Sequence, residues 1–265
     1  MAEPWWGRFE AAVGQGRRWQ IGPMSLWLQH LEDEWRAAWE VGEDPYADGL
    51  VVAEDATGTD LLSKSKLKRF GLAGDPDAIL LAPALADRPV VVHPEHPFGV
   101  PPGESCVLYI NTPMWVQVRA RAERPPLLDM PIFRPSDSWF GPPTHDGELC
   151  YASRAFGRMR LEELPSRAHR ATTAVKVVNR GRTQLPLERL KLPVDKLPLY
   201  QGEDGRMWTP KVVLERANDD DFALVRLEKQ EGVLNAARIA APRVEGVSDR
   251  LVRAFQSLWG DRSNP

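Results

Sequence analysis

What most constrains this chain is its punctuation: short apolar runs, each closed by proline, glycine or a cluster of Asp and Asn. The 24 prolines and 20 glycines fall mainly between these runs. Proline and glycine are costly inside a helix, whereas strands joined by turns require them. Between residues 170 and 228 the pattern is clearest. "RATTAVKVVN", "LERLKLPV", "LPLYQ", "RMWTPKVVLER" and "FALVRLE" are separated by "RGRTQ", "GEDG" and "NDDD". Leu190, Leu192 and Val194 alternate with Arg189, Lys191 and Pro193, and Trp208, Val212 and Leu214 share one parity. A period of two predicts a half-solvated antiparallel sheet, and the order of the segments predicts a meander over 170–228.

Further upstream, "AILLAPAL", "RPVVVHP" and "SCVLYINTPMWVQVRARA" are β-branched runs bounded by proline. They suit strands buried on both faces or packed in a sandwich. The proline-rich segment over 121–137 reads as a crossover between sheets, because Leu127, Leu128, Ile132 and Phe133 want burial; a linker between two β domains is the alternative. At the far end, Ser248 as N-cap, the stripe Leu251, Val252, Phe255, Leu258 and Trp259, and Gly260 as stop predict a helix over 249–259. Burying each of those side chains is worth about 1.5–3 kcal/mol, so this helix is expected to dock on the β body, on a protein partner or on a second copy.

The fold class expected is therefore mainly β: an antiparallel β-sandwich or jelly-roll-like body with a C-terminal α-helix. Its parts are an N-terminal arm over 1–18, a body over 19–241 that divides, if it divides, near 121–137, and a helix and tail over 242–265. The 265 residues suffice for one large β domain or two smaller ones.

Several classes of function are disfavoured. A net charge of −3 gives no global attraction to nucleic acid or to an anionic membrane. The opening "MAEPWWGRFEAAVGQGRR" lacks the basic segment and apolar run of an export signal, and no apolar stretch is long enough to span a bilayer. Cys106 and Cys150 both lie in apolar runs, which predicts reduced thiols and a cytoplasmic location. Glycine-rich phosphate loops, a G-x-S-x-G elbow, paired CxxC motifs, HExxH and fixed-period repeats do not occur. No organic cofactor is expected.

Two stretches concentrate chemistry. "SDSWFGPPTHDGELCYAS" over 136–153 reads as two strands around a Gly/Pro turn, carrying Asp137, His145, Asp146, Glu148 and Tyr151. Two carboxylates and an imidazole brought together could do acid–base work or hold a divalent metal. The structural alternative makes Asp137 a turn cap, "HDG" a turn with Gly147 at positive φ, and Glu148 a partner for a backbone N–H or an arginine. The second stretch is "VVVHPEHPFGVPPGE", where His93, Glu95 and His96 are metal-competent but Pro94 and Pro97 impose a rigid corner. Of the charge runs, "SKSKLKR" sets Lys64, Lys66 and Lys68 at period two, as on a guarded sheet edge. "NDDD" at 218–221 lacks the spacing of a calcium loop and reads as a turn.

Taken together, "RWQIGPMSLWLQHLEDEWRAAWE", "SWFGPPTHDGELCYAS", "KVVNRGRTQLPLERLKLPV" and "LYQGEDGRMWT" resemble a prokaryotic, mainly archaeal family of domains of unknown function, over about Trp19 to Glu228. The resemblance implies no catalytic residues. It does bear on residues 24–41, where Met24, Trp27, Leu28, Leu31, Trp35, Ala38 and Trp39 also form a helical stripe. An all-β family implies a hairpin there, with "LEDE" as its turn. Three kinds of function then stand open: a non-enzymatic interaction or regulatory module, a small-ligand or metal-dependent enzyme centred on Asp137, His145 and Glu148, and a ligand-binding sensor.

Overall fold

Residues 24–41 form a hairpin. The computed structural model describes residues 4–55, 66–72, 77–142, 147–153, 156–228, 236–246 and 250–256, with only the backbone of 51–55. Among these are twenty-three strands, numbered here along the chain, and two single 3₁₀ turns at Leu161–Glu163 and Val194–Lys196. The chain divides into two compact units, and it passes between them several times.

The first unit takes residues up to Ala84, then Met114–Arg134 and Arg167–His169. Its strands β1 (Gly7–Glu10), β2 (Gly16–Ile21), β3 (Met24–Leu31), β4 (Glu34–Val41), β5 (Leu50–Asp55), β6 (Leu67–Phe70) and β7 (Ala78–Leu85) include an antiparallel five-stranded sheet in the order β5-β2-β3-β4-β6. Leu31 pairs with Glu34 across the two-residue turn, and Leu26 pairs with Trp39. Trp19, Ile21, Met24, Leu26, Leu28 and Trp35 are buried on one face, where Phe9 meets Trp19 edge-on at 5.0 Å. Trp27 and Ala38 are also buried, but on the opposite face, with the Arg18 guanidinium 5.4 Å from the Trp27 ring. Burial on both faces is what makes this sequence mimic a helical stripe. The β2–β3 turn needs Gly22 twice over: its φ is +55°, and a side chain there would strike His169. Strand β6 ends the sheet and exposes Lys68, while Lys64 lies outside the described residues. The segment after β10 (Ser105–Arg119) doubles back, so that β11 (Leu128–Pro131) pairs with the last part of β10.

The second unit takes Leu85–Pro113, Pro135–Ser166 and Arg170 onward. It contains β8 (Val90–Val92), β9 (Phe98–Val100), the first part of β10, β12 (Ser136–Phe140), β13 (Glu148–Ala152), β14 (Arg170–Asn179), β15 (Leu185–Leu187), β16 (Arg189–Leu192), β17 (Leu199–Gln201), β18 (Met207–Trp208), β19 (Lys211–Arg216), β20 (Phe222–Glu228), β21 (Ala237–Ala240), β22 (Arg250–Arg253) and β23 (Phe255–Gln256). One sheet is organised on β14, which pairs antiparallel with β10 and parallel with β18 and β19. A second has the order β12-β13-β8-β16-β23.

Two sequence expectations are corrected here. The segment 170–228 is mainly strand but not a meander. Strand β15 leaves to pair with β9, β16 pairs with β8 and β23, and β19 returns parallel to β14. The pairings are thus mixed rather than wholly antiparallel, and the face of β16 read as solvated is covered: Lys191 is buried between Leu190 and Leu192. Second, described residues 250–256 carry no helix. Arg250–Arg253 pair with β20, and Phe255–Gln256 pair with β16. The N–H groups of Ala254 and Phe255 both donate to the Asp221 carbonyl, which moves the chain from one sheet to the other. Phe255 is 1% exposed and Leu251 66%, so the two do not share a face. Leu258 and Trp259 lie outside the described residues, and the partner interface expected on this helix has no helix to carry it. No helix among the described residues is long and apolar enough to cross a membrane.

Candidate functional site

The hairpin β12–β13 forms as its alternating residues require, with Asp137 opposite Tyr151, Ser138 opposite Cys150, and Phe140 opposite Glu148. Side chains on an antiparallel pair share a face only at matching positions. Asp137 therefore lies on the Tyr151 face at the open end, and Glu148 on the Phe140 face beside the turn. The two carboxylates do not meet. Asp137 faces the Arg88 guanidinium at 3.4 Å. Tyr151 is buried, donates its hydroxyl to Asp87 at 3.0 Å and lies under Arg88. His145 and Asp146 lie outside the described residues. The turn's positive φ falls at Gly141 rather than Gly147; a side chain at 147 would have to displace the Trp139 indole.

On the Glu148 face, charge is organised by two residues that sequence reasoning missed. The Lys191 ammonium, on a side chain only 10% exposed, donates to the Glu148 carboxylate at 2.5 Å. Arg189 donates to Ser138 Oγ at 3.0 Å, to the Trp139 carbonyl at 3.1 Å and to Gln256 Oε1 at 3.0 Å. It thereby ties the hairpin to β23. Below them Phe140, Cys150 and Val91 form a closed apolar cluster. Burial pushes the Cys150 thiol up to about 12, reinforced by Glu148, and burial pushes Cys106 up to about 11. Neither cysteine is in a disulfide, and neither is a thiolate nucleophile at neutral pH. Nearby Asp195 is buried with Oδ1 unpartnered, and burial holds its carboxyl above the usual aspartate range. Alternation of Arg189 and Lys191 with leucines reads as a solvated face, so nothing in the sequence marks them.

The second stretch is a corner, as its prolines require. His93 Nδ1 lies 3.1 Å from the Glu188 carbonyl, and burial, then Arg189, lowers its pKa. Glu95 is ion-paired with Arg158. Among the described residues no three His, Cys, Asp or Glu side chains converge as a metal site. What the corner does build is a cleft of about 360 Å³ in the second unit. The backbone fixes its walls: Gly157 N–H donates to the His93 carbonyl at 2.8 Å, and Tyr109 and Arg158 exchange hydrogen bonds at 2.7 and 2.9 Å. Phe98, Leu108 and Met159 line it with apolar surface, and His96, Arg158 and Arg160 bring polar groups. Of these only His96 was singled out from the sequence; "FGRMR" carries no motif.

The chain matches the model of a family described as "Protein of unknown function (DUF432)" over residues 5–258. The chain belongs to that family. No curated protein and no solved structure matches it. The matched span takes in both units, so hairpin, corner and cleft all lie within the region the family model covers.

Proposed function

We propose that this protein is a non-enzymatic regulatory module that works by binding a small ligand in the cleft between residues 94–98 and 157–163. The observation that carries the reading is the cleft itself. Its volume is in the range typical of ligand sites, and its lining combines an apolar wall with a few converging polar groups. The acid–base candidates Glu148 and Asp137, by contrast, are engaged with Lys191 and Arg88. In this reading the sheets of the second unit stack as a sandwich, supported by burial on both faces of β14 and β16. A depression of about 550 Å³ beside Gln20, Ser25 and Trp39 in the first unit is the weaker candidate. Two of its polar side chains are already engaged, Ser25 Oγ donating to Gln20 Oε1 at 2.5 Å and Gln20 Nε2 to the Gly22 carbonyl at 2.6 Å.

The test uses a neutral apolar fluorophore, N-phenylnaphthylamine, which brightens on leaving water. Native protein should enhance its emission saturably, and Met159→Glu should abolish the enhancement without lowering the melting temperature, because Met159 is 55% exposed. No enhancement, or the same enhancement in the variant, would refute the cleft as a binding site.

A protein partner is the second reading, and one observation favours it. Trp139 and Leu149 are directly opposed across the hairpin, each 45% exposed, and β12 is the terminal strand of its sheet. A terminal strand flanked by large apolar side chains can accept an added strand.

A further inference from the structure

We infer that the ligand of the cleft is an amphipathic carboxylate, whose anionic head takes Arg158 from Glu95 while its apolar body lies on Phe98, Leu108 and Met159. This rests on the cleft being a binding site and adds which chemistry it selects. Glu95 is the observation that points to the class. Its carboxylate sits on Arg158 Nη1, so this guanidinium already receives a carboxylate at the edge of the cavity, supplied by the chain itself. The pair is only partly sheltered: Glu95 is 42% exposed and Arg158 31%. Partly exposed ion pairs contribute little, since solvent screens them and both side chains lose freedom.

Exchange is therefore cheap on one side only. Glu95, the more exposed partner, can turn to water and rehydrate. Arg158, the more sheltered partner, does so less readily. An incoming carboxylate leaves Arg158 paired and releases Glu95. An incoming ammonium would have to take Glu95 and leave the more sheltered guanidinium unpaired, which is the costlier outcome. Arginine also favours carboxylate over other heads of similar size, because its fork matches two oxygens at once. Arg160 and Glu163, 3.9 Å apart and both on the cleft's lining, offset each other in charge and leave the head-group preference to the Glu95–Arg158 pair. An anion lacking an apolar body would forgo the burial that Leu108 and Phe98 offer.

Displacement of N-phenylnaphthylamine by hydrocinnamate, and by its uncharged amide, separates the parts of this argument. The carboxylate should displace the fluorophore at clearly lower concentrations than the amide, by about two- to fivefold, because only it keeps Arg158 paired when Glu95 is released. Arg158→Gln should remove that preference. Glu95→Gln, which takes away the internal competitor and keeps the shape, should tighten hydrocinnamate and leave the amide unchanged. Equal displacement by the two compounds, or a Glu95→Gln variant that binds hydrocinnamate more weakly, overturns the inference while the cleft reading stands. If the fluorophore does not bind at all, the cleft reading fails and takes the inference with it. Because Arg158→Gln could perturb the 94–98 corner, Glu95→Gln carries the decision if that variant melts early.

Discussion

Phe255 and Leu251 stand four residues apart, one turn of a helix, and would share its buried face. In the structure they lie on strands of different sheets, and their surroundings differ accordingly. Phe255 is 1% exposed and pairs with Leu190 at the end of the sheet β12-β13-β8-β16-β23. Leu251 is 66% exposed on β22. Truncating a fully buried phenylalanine removes its transfer free energy and leaves a cavity, so Phe255→Ala should cost about 3–5 kcal/mol. Leu251→Ala deletes side-chain atoms that water already touches and should stay within about 0.5 kcal/mol. The assay is urea unfolding of both variants beside the parent, reading the midpoint at constant slope so that a shift reports stability. Comparable losses in the two variants would restore a helical stripe and refute the strand assignment. A loss below about 1 kcal/mol for Phe255→Ala would mean that this ring is not part of the core.

Other outcomes follow from the Glu148 face. Glu148→Gln should cost about 1–2 kcal/mol, discounted because the carboxylate is half-exposed, whereas Lys191→Met should be near neutral because it removes the buried charge along with its need for a partner; thermal melts of both decide it. Asp195, its carboxyl raised by burial, holds its proton more tightly folded than unfolded, so it contributes stability at low pH that is lost as pH rises from the ordinary aspartate range to the raised folded value. Asp195→Asn should therefore gain on the parent across that window and keep the gain above it, and a gap that shrinks with rising pH would contradict the sign. Both thiols, raised to about 11 and 12, should react with a bulky disulfide reagent far more slowly in native protein than in urea; rapid native labelling of Cys150 would show that the Phe140 cluster opens.

The strand character of the chain was legible because proline, glycine and period-two alternation act locally. The topology was not. Which sheet β15, β16 or β19 joins depends on partners remote in the sequence, and "LERLKLPV" reads the same in a meander as between β8 and β23. At 250–256 two short strands joined through Ala254 repeat their apolar residues much as a helix does, because each strand answers to a different sheet. For Glu148 the decisive quantity was register. Asp137 pairs with Tyr151 rather than one residue further on, and a single step would have put the two carboxylates on one face. The prolines at 94 and 97 did announce a corner, but the wall opposite it comes from residues 157–163, which carry no motif.

Of the methionines among the described residues only Met159 lines the cleft, with Met24, Met114, Met130 and Met207 buried elsewhere. A methyl correlation spectrum of protein labelled at methionine methyl carbon, with the Met159 signal assigned through Met159→Leu, therefore reports directly where hydrocinnamate binds. The Met159 resonance should move in a saturable titration while the four buried methionines hold still. An unmoved Met159 signal, or movement confined to Met114 and Met130, would contradict it.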